Sequence, residues 1–193
     1  MTQFEKSEIN TGGSLFVSGP EAFSAEEREN LIGMVDAQSE TARLEHDADD
    51  LYGMRRSKVL YIPAPQFPQL ADRIRAIAAS ANRCYNFAIT DIRENIQLAI
   101  YDSSDAGFFD WHLDIGGMDK GVRKLSVSVP LNDSSDFEGG QLEFFSNGSK
   151  AEEVEQKAGH PIVFPSWLVH RVAPVTSGKR YSMVTWISGP SWK

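Results

Sequence analysis

The chain has 193 residues, 41% of them apolar, enough to build one sizeable core, and a single folded unit is expected. Its net charge of −8, with no basic run longer than Arg55-Arg56, repels phosphate backbones and argues against a nucleic-acid partner. No stretch approaches the roughly 20 consecutive apolar residues that span a bilayer, and Met1 to Lys6 lack a secretory apolar run, so a soluble, cytoplasmic protein with no membrane contact is expected.

Residues 1–22 mix polar side chains with Gly12-Gly13 and Gly19-Pro20 and read as an extended lead-in with one strand at 15–17. Ser24 followed by Glu27 forms a capping box, and Leu31, Ile32 and Val35 recur at helical spacing, which predicts a helix over 24–37. Leu70, Ile74, Ile77, Ala78 and Ala81 form one apolar stripe after Phe67-Pro68 and predict a second helix. Cys84, the single cysteine, excludes an internal disulfide and a thiolate metal cage; it reads as a small buried hydrophobe near that helix's end. From Phe87 onward apolar and polar residues alternate and turn residues recur at short intervals. Strands are predicted at 58–62, 87–92, 96–101, 124–131, 141–145, 160–164, 170–172 and 180–187. Helices first and a run of strands after point to a β-sandwich or barrel flanked by helices.

His112-Leu113-Asp114 places an imidazole and a carboxylate two residues apart, so on extended backbone both side chains share one face and can hold one ion. The triplet alone is a weak signal. His170, 58 residues downstream where an apolar strand ends in a turn, adds a second imidazole. Two histidines and one carboxylate make the facial triad that favours non-haem Fe(II), with positions left for a bidentate ligand and O2. Zinc with a catalytic water accepts the same three ligands, so the set does not choose its metal. Arg180 stands ten residues after His170, beyond a 172–178 connection expected to turn the chain into a neighbouring antiparallel strand. A guanidinium near the metal offers a planar fork to the far carboxylate of a dicarboxylic co-substrate.

Tyr101, the run Phe109-Asp110-Trp111-His112-Leu113-Asp114, Arg123-Lys124-Leu125-Ser126, Pro130-Leu131-Asn132 and Gly139-Gly140-Gln141-Leu142-Glu143-Phe144 carry a family likeness. It continues through Phe164-Pro165-Ser166, His170-Arg171-Val172-Ala173-Pro174-Val175, Gly178-Lys179-Arg180-Tyr181-Ser182 and Trp186. Together these segments resemble the Fe(II)- and 2-oxoglutarate-dependent dioxygenases of the prolyl 4-hydroxylase-like, PKHD-type group. The resemblance implies a mainly β fold with flanking helices around a double-stranded β-helix, the cupin-like jelly roll. It implies one domain over 1–193, with 1–95 as helical and strand support and 96–193 as the dioxygenase core.

By the same resemblance, His112, Asp114 and His170 would ligate Fe(II), and Arg180 would pair with 2-oxoglutarate. Tyr101 stands where the group often has a co-substrate tyrosine; its alternative is a core aromatic. Ser182 shares the Arg180 face and is either a second donor to that carboxylate or a small barrel-lining residue. Leu142 and Trp186 would form pocket wall. O2 is the implied oxidant, ascorbate a candidate reductant, and the reaction a hydroxylation with decarboxylation of 2-oxoglutarate to succinate and CO2. The leading substrate is a prolyl residue in a peptide or protein. A free amino acid or other small molecule, and a metal-binding jelly roll without turnover, are the alternatives. Asp114 argues against a halogenase relative, and Pro130 stands where some animal members have a second co-substrate tyrosine.

Two glycine-bearing stretches, 102–107 and 115–121, flank the metal motif and could act as a lid or as plain loops. Residues 133–136 and 147–149 read as β-turns. Asp91, Arg93 and Glu94 read as a solvated turn, and His46 and His160 as structural. Nothing in the sequence sets an oligomeric state.

Overall fold

A computed structural model of the chain describes residues 5–8, 14–38, 40–41, 51–116, 122–146 and 150–192. In chain order the elements are β1 (Glu5–Glu8), β2 (Ser14–Ser18), α1 (Ala25–Gln38), β3 (Glu40–Thr41), α2 (Leu51–Met54), β4 (Arg55–Arg56), β5 (Lys58–Ile62), α3 (Pro68–Tyr85) and β6 (Ile96–Asp102). They continue with β7 (Phe108–His112), β8 (Val122–Pro130), β9 (Phe137–Gly139), β10 (Leu142–Ser146), β11 (Lys150–Glu153), β12 (Ile162–Pro165), β13 (His170–Val172) and β14 (Val175–Gly189).

Short-range chemistry accounts for the helix ends. The Glu27 N–H donates to Ser24 Oγ (3.3 Å) while the Ser24 N–H donates to Glu27 Oε2 (2.9 Å), the reciprocal cap expected at the start of α1. Pro68 opens α3, where its missing N–H costs nothing, and Asn86 closes it in the left-handed conformation at φ 54.

Two antiparallel sheets form, ordered β1-β2-β12-β8-β14-β6-β5-β3, with β9 beside the start of β14, and β11-β10-β13-β7-β4. Alternation gives the larger sheet two unlike faces. Leu98, Ile100, Leu125, Val127, Val129 and Met183 pack outward against Leu31 and Val35 of α1 and Ile74 and Ala78 of α3. The residues between them, including Gln97, Tyr101, Ser126, Ser128, Arg180 and Ser182, are turned the other way, into the space shared with the smaller sheet. Phe16, Phe144 and Phe164 fill part of that space, the Phe144 ring 5.1 Å from Phe16 and 4.8 Å from Phe164. This is the double-stranded β-helix with helices on one face that the resemblance implied.

Three local expectations are corrected. Residues 87–92 form no strand: the Asn82 side chain takes both the Phe87 N–H (3.0 Å) and its carbonyl (2.9 Å), and the segment meets the sheet through an isolated bridge, Ile92 to Ile187, and backbone bonds of Thr90 and Asp91 to Ser188. The 172–178 connection does not turn His170's strand into a neighbour. β13 lies in the smaller sheet and β14 in the larger, so Ala173-Pro174 crosses between sheets, and β14 already begins at Val175 against β9. Asp91 and Arg93 are solvated as expected, Asp91 taking Arg75 (2.6 Å), but Glu94 is part-buried and pairs with Arg123. Cys84 is only half-buried. The turn at 133–136 forms, closed by the Asp136 N–H to Asp133 O (3.0 Å). Residues 117–121, 147–149 and His46 lie outside the described residues.

Ile74 is fully buried between α3 and the sheet. Ile74→Ala is expected to cost about 2–5 kcal/mol in urea unfolding, with the metal stoichiometry of the folded fraction unchanged.

Candidate metal centre

Strand register does the first part of the assembly. β7 and β13 run antiparallel with His112 opposite His170, which brings the ring centroids to 4.2 Å. Past the end of β7, the Asp114 N–H donates to Ser166 O (2.9 Å), holding that residue against the turn between β12 and β13. Asp114 Oδ1 is 3.7 Å from His112 Nε2, and Oδ2 is 3.5 Å from His170 Nε2. The candidate ligand atoms of the three residues all lie within 4.8 Å of one another.

Proton positions follow from the neighbours. His112 Nδ1 is 2.7 Å from Asp110 O, and His170 Nδ1 is 2.8 Å from Leu168 O. A carbonyl only accepts, so each Nδ1 carries a proton and each Nε2 is the nitrogen that faces Asp114. Burial pushes the His112 pKa down, helped by His170 and against the pull of Asp114, to about 4. Burial raises the Asp114 carboxyl, but His170, His112, the Trp186 indole and the Ser126 hydroxyl (2.7 Å) outweigh it and hold the group below the ordinary carboxylate range. At neutral pH the cluster therefore presents a neutral His112 and an ionised Asp114, the forms that ligate a divalent cation.

Arg180 lies on β14 opposite Tyr101 of β6, at 2% exposure. Its guanidinium is 5.3 Å from the Tyr101 ring centre, donates to Gln156 Oε1 and Ser182 Oγ, and meets no carboxylate among the described residues. Desolvation lowers its pKa from the ordinary arginine value, opposed by Tyr101. The Tyr101 ring is buried, and its hydroxyl has no hydrogen-bond partner among the described residues. Thus all six residues singled out in the sequence lie in the interior between the two sheets, as two groups: the His112, Asp114 and His170 cluster, and Arg180 with Tyr101 and Ser182.

Three contributors were missed. Gln156 sits in the segment before β12, and nothing in its neighbourhood marks it. Arg55, seen only as part of a short basic pair, is buried: Nε donates to Ser57 Oγ (2.8 Å), Nη1 to Gln97 Oε1 (3.3 Å), and Nη2 has no hydrogen-bond partner among the described residues. Its guanidinium lies 4.7 Å from the Phe109 ring, which stacks on His112 at 3.5 Å. Arg123, paired with Glu94, lies 3.8 Å over the Trp186 ring and donates to Asp114 O (3.4 Å). A basic residue two positions before Leu125 gave no sign of this.

A jelly roll holding two imidazoles, a carboxylate and a buried guanidinium in one interior has the make-up of a mononuclear metal oxygenase that takes an anionic co-substrate. Residues 96–188 match the model of the 2OG-Fe(II) oxygenase superfamily. A PKHD-type hydroxylase of Synechococcus sp. (strain CC9605) is 30% identical over 120 residues, covering 58% of this chain and 54% of that protein. Another, from Synechococcus sp. (strain CC9902), is 39% identical over 97 residues, covering 50% and 43%. The chain thus spans about half the length of these curated relatives. Among solved structures, a Pseudomonas putida prolyl-4-hydroxylase superposes with a TM-score of 0.69 at 22% identity, covering 92% of this chain and 94% of that one. A Trichoplax adhaerens prolyl hydroxylase, solved with a hypoxia inducible factor peptide fragment, gives 0.74 at 20%, covering 91% and 84%. Residues 96–188 thus share the pattern of the 2OG-Fe(II) oxygenase superfamily, and the chain is similar in sequence to PKHD-type hydroxylases and in fold to prolyl hydroxylases. No helix among the described residues is long and apolar enough to cross a membrane.

Two outcomes are expected in solution. Mn(II) at 100 times its Kd should stabilise the fold by about 2.7 kcal/mol, seen as a raised melting temperature, and His170→Ala should abolish the rise. In chelator-treated protein His112 stays neutral to about pH 4 in the fold, whereas the unfolded chain takes up that proton near 6.5. The unfolded state then binds more protons than the fold, so urea titrations should show stability falling as pH drops from 6.5 toward 4. His112→Gln should flatten that limb.

Proposed function

We propose that the chain is a 2-oxoglutarate-dependent dioxygenase that hydroxylates an organic substrate, with His112, Asp114 and His170 as Fe(II) ligands and Arg180 as the partner of the co-substrate's far carboxylate. The observation that carries this reading is Arg180. A buried guanidinium without a counter-ion costs several kcal/mol, and a carboxylate arriving with a ligand supplies the missing charge. The cluster fits the metal: two imidazole Nε2 atoms and one carboxylate converge, the Nδ1 positions are fixed by carbonyls, and no cysteine competes.

Bound there, Fe(II) with 2-oxoglutarate and O2 would supply the oxidation, consuming 2-oxoglutarate to succinate and CO2. The chain's own residues position and exclude. Ser126 and the Ser166 carbonyl fix Asp114, so its carboxylate does not swing when a ligand arrives. Arg180 sets the direction of the co-substrate, Ser182 offers a second donor beside it, and the Tyr101 hydroxyl, free of protein partners among the described residues, is available to the same ligand. Ascorbate is the candidate reductant that would keep the iron ferrous.

The primary substrate is proposed to be a prolyl residue in a peptide or protein. Leu113, Ile115 and Trp167, neighbours of the cluster in sequence, are each more than two-fifths exposed and offer apolar surface that an extended peptide can cover. Arg55, whose Nη2 has no partner among the described residues and whose guanidinium lies beside the Phe109–His112 stack, would take a substrate oxygen. That residue also favours the second reading, a small carboxylate-bearing molecule.

The test is anaerobic reconstitution with Fe(II) and 2-oxoglutarate, followed by succinate release in air across proline-containing peptides, free amino acids and cell extract. Arg180→Ala should raise the 2-oxoglutarate KM at least tenfold, and Asp114→Ala should abolish turnover. An unchanged KM in Arg180→Ala would remove Arg180 from its role, and stimulation by small molecules alone would defeat the prolyl substrate.

A further inference from the structure

A guanidinium has five N–H donors. On Arg180 the Nε–H and one Nη2 N–H, which form the side edge of the fork, both go to Gln156 Oε1 at 3.1 and 2.7 Å. One Nη1 N–H goes to Ser182 Oγ at 3.1 Å. One N–H on each of Nη1 and Nη2 has no acceptor among the described residues, and two parallel bonds from the end edge of the fork are how arginine grips a carboxylate.

Gln156 is itself held. Its Nε2 donates to Gly140 O at 3.3 Å. Gly140 has a φ of 66°, and a Cβ there would stand 3.0 Å from Arg180 Cδ, so the same glycine lets the arginine stem pass and anchors the amide. The chemical type of the anchor matters as much as its place. An amide satisfies two donors and leaves the positive charge uncompensated, whereas a carboxylate there would neutralise it internally.

We propose that Gln156 is a positioning residue for the co-substrate: it occupies the side edge of Arg180 so that only the end edge meets the incoming anion, and it thereby selects for a dicarboxylic 2-oxo acid. This rests on the role given to Arg180 above. A 2-oxo acid with a second, remote carboxylate gains from the arrangement, and a monocarboxylic one does not.

The experiment is titration calorimetry on the Mn(II)-loaded protein with 2-oxoglutarate and with 2-oxobutyrate, which lacks the remote carboxylate. Wild type should prefer 2-oxoglutarate by at least tenfold. Gln156→Ala should weaken 2-oxoglutarate by about fivefold or more, and Gln156→Glu, which sets an anion on the side edge, by about thirtyfold or more. Both variants should leave 2-oxobutyrate within twofold, and a melting curve on each establishes that it is folded. Unchanged 2-oxoglutarate affinity in Gln156→Glu, or equal weakening of both acids in Gln156→Ala, would make Gln156 merely structural. Arg180→Ala run beside them separates the two readings. If it loses the preference while the Gln156 variants keep it, the positioning role fails and the Arg180 role stands; if it keeps the preference, the Arg180 role itself fails.

Discussion

A positive charge sealed between two sheets without a carboxylate opposite it is a standing free-energy cost, and the interior around Arg180 is organised by it. Neutral acceptors, Gln156 and Ser182, meet three of its N–H groups and leave its charge unmatched. Tyr101 adds the face of an aromatic ring, which favours a cation without neutralising it. The result is a site that stores an unsatisfied attraction for an anion. The His112, Asp114 and His170 cluster is arranged on the same principle with the sign reversed: neutral His112 and ionised Asp114 leave electron pairs facing inward.

What allows both arrangements to persist is the division of labour between the faces of the larger sheet. Stability comes from the outward face, where α1 and α3 cover an apolar layer that includes Leu98, Val127 and Met183. The inward face is then free to carry serines, Gln97 and Arg180 at positions where a purely structural sheet would carry large hydrophobes. The smaller sheet contributes geometry more than core. Direct pairing of His112 with His170 across β7 and β13 sets the spacing of the imidazoles, and the Phe109 and Phe164 rings pack against them. Residues 51–62 belong to this frame as well, since β4 extends the smaller sheet beside β7 and places Arg55 next to Phe109, while β5 extends the larger one beside β6.

The elements with strong local chemistry could be read directly. The Ser24 and Glu27 cap, the stripe of α3 and the strand at 58–62 stand where their patterns put them, because capping bonds and apolar periodicity act within a few residues. Residues 87–92 have the same alternation as a strand but are diverted by Asn82, a contact whose outcome depends on how α3 ends. The crossover at Ala173-Pro174 was misread because alternation is blind to which sheet a strand joins.

The amino-acid sequence by itself determined the donor set: His112 and Asp114 two apart on extended backbone, a distant His170, and an arginine ten residues after it, a combination whose chemistry is written in residue type and spacing. Tertiary structure decided everything that depends on what lies across a sheet or between sheets. It settled that Arg180 is buried without a counter-ion among the described residues, that Gln156 holds one edge of it, and that Arg55 and Arg123 belong to the same interior. The physical reason is that charge, hydrogen bonding and burial are properties of an environment, and in a β-helix that environment is assembled from strands far apart in the chain.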